Sequence, residues 1–174
     1  NYSKINIFFG KFQKIKKNKK NLSFSPAFDW LPHPLAIAIK LHGLPSKVRI
    51  IKNKISSLKN NIVQSSKICL YYKNKIIQIN FSNQYKYPKR RVKIQGSKAT
   101  LIYDGYKKDM LLQKIKDKVF KKVKYIYMDP FDNLINQFSL SLKGNFYKND
   151  IYLSYNVMKI LFQIEERMKS KMDL

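Results

Sequence analysis

The sequence predicts an α+β fold, a large, mostly antiparallel open sheet with helices packed on one face. Three observations lead there. Between Val48 and Tyr127 one alternating apolar segment follows another, with turn residues between them. A short helix, apolar on every side, precedes this run, and two helical stretches follow it. The length of 174 residues suits one domain, taken here as 1–174, and is too short for two comfortable ones.

The elements follow in order. Tyr2 to Phe12 alternates as a strand, with Ile5, Ile7 and Phe9 on one face and Lys4 and Asn6 on the other. The lysine-rich run Lys14 to Lys20 and the segment Asn21 to Pro26 read as a loop. Leu35 to Ile39 is a helix buried all round; Gly43 is its C-terminal cap, and Pro45 prevents continuation. Val48 and Ile50 open the β region. Ile62 to Tyr72 and Lys75 to Phe81 are two strands joined at Lys73-Asn74. That turn lacks the glycine two-residue hairpins favour, so its register stays open. Tyr85 to Pro88 is a turn, Arg90 to Ile94 a strand broken by Gly96, and Thr100 to Tyr103 resumes it. Two further short strands are expected at Asp109 to Ile115 and Val119 to Tyr127.

The end of the chain is helical. Asp129 caps a helix with Pro130 at its first position. Phe131, Leu134, Ile135, Phe138 and Leu142 keep helical spacing, and Gly144 stops them. Asp150 is placed as the cap of the last helix, whose stripe Leu153, Val157, Ile160, Leu161, Ile164 and Met168 reads as core packing. The sheet face turned away from the helices suits water through its lysines, and suits a symmetric sheet-to-sheet dimer equally.

The net charge of +26 raises nucleic acid or an anionic membrane as partners. Its distribution argues against both. Lysine occurs throughout, together with asparagine, isoleucine, tyrosine and phenylalanine, the mixture that A/T-rich codons produce. The charge therefore reads as a solvated surface. No RNA-reading aromatic motif or zinc-finger spacing accompanies the lysine run. Cys69 is the only cysteine, so no intramolecular disulfide forms and a reducing, cytoplasmic setting fits. No apolar stretch is long enough to span a membrane, and no signal peptide is present. The chain opens at Asn1 without an initiator methionine and reads as a fragment.

One stretch carries candidate chemistry, Phe28-Asp29-Trp30-Leu31-Pro32-His33-Pro34-Leu35. Asp29 and His33 stand at i and i+4 where the buried helix opens. Histidine exchanges a proton near neutral pH, and a nearby carboxylate orients the ring and stabilises the imidazolium. Pro32 and Pro34 argue against regular helix across the motif, which places Asp29 in the approach and His33 at the opening. A structural reading fits the same spacing, with Asp29 as an N-terminal cap and His33 as a satisfied buried histidine. His42, in the last helical turn, faces the negative pole of the helix dipole. One aspartate and one histidine fall short of the three ligands a catalytic zinc takes, so no metal site is expected. Cys69 has no histidine nearby in sequence and is no candidate nucleophile.

The Asp29-x-x-x-His33 spacing, the helix ending in Leu41-His42-Gly43-Leu44-Pro45 and the long sheet resemble the C-terminal domain of the Gfo/Idh/MocA oxidoreductases, the family of glucose–fructose oxidoreductase. The strand Tyr2 to Phe9, the segment Val92-Lys93-Ile94-Gln95-Gly96 and the helix Pro130 to Gly144 extend the match over nearly the whole chain. The form Asp29-Trp30-x-Pro32-His33 is similar to a subgroup linked to sugars and surface polysaccharides. The resemblance implies a two-domain enzyme. An N-terminal domain, absent from this chain, holds NAD or NADP. The C-terminal domain supplies the sheet, the substrate pocket and the oligomerisation surface. Hydride moves between the nicotinamide and a carbinol carbon of a sugar or nucleotide-sugar-like substrate. His33 handles the hydroxyl proton, Asp29 supports it or binds substrate, and Trp30 is a substrate contact.

The departures from the family pattern are definite. Glycines 10, 43, 96, 105 and 144 cannot form G-x-G-x-x-G, so no cofactor-binding residue is assigned. The family's Glu-Lys-Pro motif is absent, the only glutamates being Glu165 and Glu166; Ala99 replaces a glycine, and Ala27-Phe28 replaces a glycine pair. Without the dinucleotide the chain is expected to be inactive by itself. Two other readings stand beside this one: a non-catalytic binding or assembly module that keeps the fold, and a basic nucleic-acid-binding protein.

Overall fold

The computed structural model describes residues 2–11, 15–16, 26–58, 61–106, 110–115, 118–125, 129–144 and 151–169. Within them the order is β1 (Tyr2–Gly10), β2 (Ile15–Lys16), α1 (Pro26–Trp30), α2 (Pro32–His42), β3 (Lys47–Leu58), β4 (Asn61–Tyr72), β5 (Lys75–Ser82), β6 (Lys89–Gly96), β7 (Ala99–Asp104), β8 (Leu111–Ile115), β9 (Lys121–Lys122), α3 (Pro130–Leu142) and α4 (Ile151–Lys169). The strands form one sheet in the order β2-β4-β5-β1-β6-β7-β8-β9, with β3 also paired to β4. The pairing of β1 with β5 is parallel and the other described pairings are antiparallel. The architecture is the expected α+β class with an open sheet.

β1 runs through the middle. Its Ile5, Ile7 and Phe9 lie opposite Ile77, Ile79 and Phe81 of β5, and opposite Ile94, Val92 and Arg90 of β6. In a pleated sheet, directly paired residues share a face, so this register gathers the apolar rows on one side. Ile68 and Leu70 of β4 join them, opposite Ile79 and Ile77. Leu31, Leu35 and Ala38 from the α1–α2 segment and Leu161, Ile164 and Met168 of α4 close over this face. Fully burying one such large aliphatic side chain is worth about 1.5–3 kcal/mol. The same packing settles the hairpin register. Tyr72 pairs with Lys75 around Lys73-Asn74 without a glycine, because a one-residue slip would turn the apolar row of β5 to the open face.

A polar cluster fixes one end of the sheet. The Gln64 side-chain amide donates to Asn53 Oδ1 at 3.2 Å and to the Met168 sulfur at 3.4 Å. Asn83 Oδ1 accepts from the Gln64 backbone N–H at 2.9 Å, and its amide donates to the Ile62 carbonyl at 2.8 Å. Gln64 and Asn83 are both buried, and these bonds satisfy groups that would otherwise cost about 1–3 kcal/mol each. Arg167 of α4 donates to the Val48 carbonyl of β3, locking the last helix to that strand.

Several expectations need correction. Among the described residues of the strand expected from Val119 to Tyr127, only Lys121–Lys122 pairs, and 126–127 fall outside the described residues; the lysines contribute no apolar face. Ile15–Lys16 pairs with β4 instead of lying in a loop, and the rest of the run from 14 to 20 falls outside the described residues. Asp150, expected as a cap, also falls outside them. α3 is capped by Asp129, whose carboxylate accepts from the Phe131 N–H at 2.9 Å. Its stripe of Phe131, Leu134, Ile135, Phe138 and Leu142 is not packed on the sheet, each residue being 52% exposed or more. The helices covering the sheet are thus α1, α2 and α4.

The exit of β1 is tight. Gly10 has φ of 138°, and a Cβ there would lie 1.9 Å from the Ser82 carbonyl oxygen. Gly10→Ala is therefore expected to destabilise the fold. The backbone conformation alone accounts for about 1–3 kcal/mol, and displacement of β5 adds to it. Urea or thermal unfolding measures the loss; a midpoint equal to the parent's would contradict this account of the strand exit.

Candidate functional site

The site lies where β1 leaves the sheet and α1 gives way to α2. The two helices are almost continuous. Leu31 N–H donates to the Ala27 carbonyl at 2.9 Å, and Leu35 N–H to the Leu31 carbonyl at 3.1 Å. Leu31 itself has φ −73° and ψ −31°. The prolines thus do not break the motif. They sit in the first turn of α2, where a missing N–H breaks no helical bond, and Leu31 accepts helical geometry despite preceding Pro32. Asp29 is accordingly within α1 and not in an extended approach. It is not the cap of α2 either: Leu31 holds that position without a side-chain cap bond.

This helical path sets Asp29 and His33 one turn apart on the same side. Both are exposed. His33 is thus not the buried histidine of the structural reading. Its ring stacks on Phe9 of β1, with centroids 6.0 Å apart and planes at 20°. Phe9 is buried, so the imidazole rests on a fixed platform. Partial burial is the larger cause holding the His33 pKa below its ordinary value, and the positive charge of Arg90 adds to it. Both favour the neutral ring, the form that accepts a proton.

Trp30 is half-buried and packed against the core. Its indole N–H is shielded from solvent and has no hydrogen-bond partner. His42 lies at the other end of α2, edge-on to Tyr72 with centroids 5.4 Å apart. Burial pushes the Tyr72 hydroxyl up to about 12. His42 borders an open depression of about 400 Å³ with Leu44, Ser46, Lys73 and Lys75, and takes no part in the site around His33. A broader depression of about 820 Å³ follows β3 from Ile50 to Ser56 and holds neither Asp29 nor His33. Among the described residues no three of His, Cys, Asp and Glu gather as a metal site. No helix among them is long and apolar enough to cross a membrane.

Three residues of the site were not singled out by sequence reasoning: Phe9, Arg90 and Tyr106. The Arg90 guanidinium lies over the Phe9 ring at 5.8 Å and over Tyr106 at 5.8 Å. The signal for Arg90 was present. Arg90, Val92 and Ile94 alternate along β6, so a cation occupies the row that otherwise fills the core. Its meaning depends on pairing with Phe9, which the sequence does not display.

Among the described residues, Gly10, Gly43, Gly105 and Gly144 form no cradle for a dinucleotide's phosphates. Gly43, at φ 73°, donates to the Ile39 carbonyl and closes the C-terminus of α2. Gly144, at φ 77°, follows α3. Gly10 faces Ser82, and Gly105 faces the side chain of Arg90. None of these opens a helix after a strand, as a pyrophosphate cradle requires.

Lowered titration of His33 gives a signed prediction. Its midpoint by NMR falls below 6.5, and Arg90→Gln moves it upward by part of the difference, since burial, the larger cause, remains. Because the folded value is depressed, the associated stability is fully present above 6.5 and is lost as pH falls through the folded midpoint. A midpoint at or above 6.5 would contradict the electrostatics of the site.

No protein-family model and no curated protein sequence matches the chain. Solved structures do. UDP-N-acetylglucosamine 3-dehydrogenase GnnA from Acidithiobacillus ferrooxidans aligns with a TM-score of 0.71 and 14% identity, over 94% of this chain and 52% of that one. The dehydrogenase MviM from Clostridium difficile aligns with a TM-score of 0.71 and 15% identity, over 96% of this chain and 55% of that one. The chain therefore spans about half the length of these structures. Its fold is that of the C-terminal domain of the Gfo/Idh/MocA oxidoreductases.

Proposed function

We propose that this chain is the substrate-binding and assembly part of a cytoplasmic, NAD(P)-dependent oxidoreductase acting on a hydroxyl or carbonyl of a sugar or nucleotide-sugar-like substrate. The observation that carries the reading is an exposed imidazole, biased towards its neutral form, one helical turn from a carboxylate in a dehydrogenase fold. In this proposal His33 takes the hydroxyl proton as the substrate is oxidised and returns it in the reverse direction. Asp29 stabilises the imidazolium or receives a substrate hydroxyl. Trp30, with much of its ring against the core, steadies the turn that carries both and offers its exposed edge to substrate. The dinucleotide, held by a domain other than this one, supplies the hydride chemistry. By itself the chain is inactive. The action of GnnA on UDP-N-acetylglucosamine supports a substrate of the sugar-nucleotide kind.

The proposed assembly is a homo-oligomer across the open sheet face. Asn6, Gln78, Asn80 and Gln95 line the middle of that face, linked in part by amide contacts of 3.4 Å from Asn6 to Gln95 and from Gln78 to Asn80. An open face rich in amides can pair with its own copy about a two-fold axis. Sedimentation of the parent and of a Gln78→Lys, Asn80→Lys double variant tests this: the parent sediments as an oligomer and the variant as a monomer. A monomeric parent rejects the assembly.

The catalytic reading is tested in the enzyme that joins this chain to a dinucleotide-binding domain. His33→Ala is expected to lower kcat by about 10²- to 10⁴-fold, with KM changed far less. Unchanged turnover in that variant would remove His33 from the chemistry.

A further inference from the structure

Arg90 is exposed, yet it makes more contacts than strand pairing alone requires. It stands opposite Phe9 across the β1–β6 pair, so its side chain leaves the sheet on the face where His33 rests on Phe9. Its carbonyl accepts the Gly105 N–H at 2.8 Å. Gly105 also makes room for the stem, since a Cβ there would lie 2.7 Å from Arg90 Cδ. The guanidinium rests on two aromatic rings, each with its centroid 5.8 Å away. Rings hold a guanidinium by cation–π attraction and leave its N–H edges free to bond elsewhere.

Among the described residues no carboxylate pairs with Arg90. The next residue makes the contrast. Arg91, on the opposite face, lies 4.0 Å from Asp104. A planar fork of N–H donors, exposed beside two rings and without a carboxylate partner among the described residues, matches two oxygens of a carboxylate or phosphoryl group.

We propose that Arg90 is the anchor for an anionic group of the substrate, a phosphoryl or carboxylate gripped by the guanidinium beside His33. The proposal rests on the reading of His33 as the sugar site and names the substrate class there as anionic. Phe9 ties the two functions together, carrying the proton-accepting ring and the anion-binding fork on the same platform. An anion docked on Arg90 answers its charge and so relieves the field that this arginine exerts on the imidazole. Binding is thereby reported at His33.

The test uses the 174-residue chain and follows the His33 ring by NMR. Glucose 1-phosphate, glucuronate and neutral glucose are titrated at matched ionic strength. The expected result is saturable movement of the His33 signals by at least one anionic sugar, binding at least about tenfold tighter than glucose, with an upward shift of the His33 midpoint. The tighter of the two anions identifies phosphoryl or carboxylate as the group held. Arg90→Gln is expected to remove this preference. Arg90→Lys, which keeps the charge without the fork, is expected to retain a fraction of it and serves if the glutamine variant does not fold. Arg91→Gln, on the other face, binds as the parent does and excludes general attraction to a chain of charge +26. Equal binding of neutral and anionic sugars, or full anion affinity in a folded Arg90 variant, overturns the anchor while leaving the sugar site standing. If none of the three sugars moves His33, both the anchor and the sugar reading fall.

Discussion

The arrangement depends on how β1 ends. Phe9 is buried, with the His33 ring and the Arg90 guanidinium against its ring, while Gly10 lies against the Ser82 carbonyl where no side chain fits. β1 is also the strand that joins the parallel and antiparallel parts of the sheet. A shift of one residue along it would move Ile5, Ile7 and Phe9 to the open face and empty the core. The burial of those side chains therefore fixes more than stability. It determines which residue of β6 stands beside Phe9 and which residue of α2 rests on it.

From that constraint the electrostatics follow. A chain with so many cations places most of them where water screens them, and their individual effects there are small. Arg90 is exposed as well, yet its guanidinium and the His33 ring both lie against Phe9, and its charge acts on the imidazole. His33 then responds to burial first and to Arg90 second, and both keep its proton off. A base held neutral at rest, with a carboxylate one turn away, suits reversible proton transfer.

The two faces of the sheet do unlike work. One is filled with aliphatic side chains from α1, α2 and α4 and excludes water. The other carries amides and lysines, and no helix among the described residues covers it. α3 joins neither layer, and its six large apolar side chains remain exposed. Its sequence meets every local condition for a helix, including the Asp129 cap and Pro130 at the first position. Those conditions specify that it is a helix, not where it docks.

The same division runs through the whole chain. Local rules were enough for the strand at Ile5, Ile7 and Phe9, the cap at Gly43, the start of α3 and the buried stripe of α4, because each depends on periodicity or on one residue's backbone preference. The i, i+4 relation of Asp29 and His33 was also legible, although the prolines were expected to interrupt the helix that in fact joins them. What periodicity cannot contain is pairing between distant strands. The Lys73-Asn74 register, the exposure of α3 and the meeting of Phe9, His33, Arg90 and Tyr106 were decided by tertiary structure. Contacts between residues far apart in sequence leave no local trace, because their energy exists only once the sheet has closed around β1.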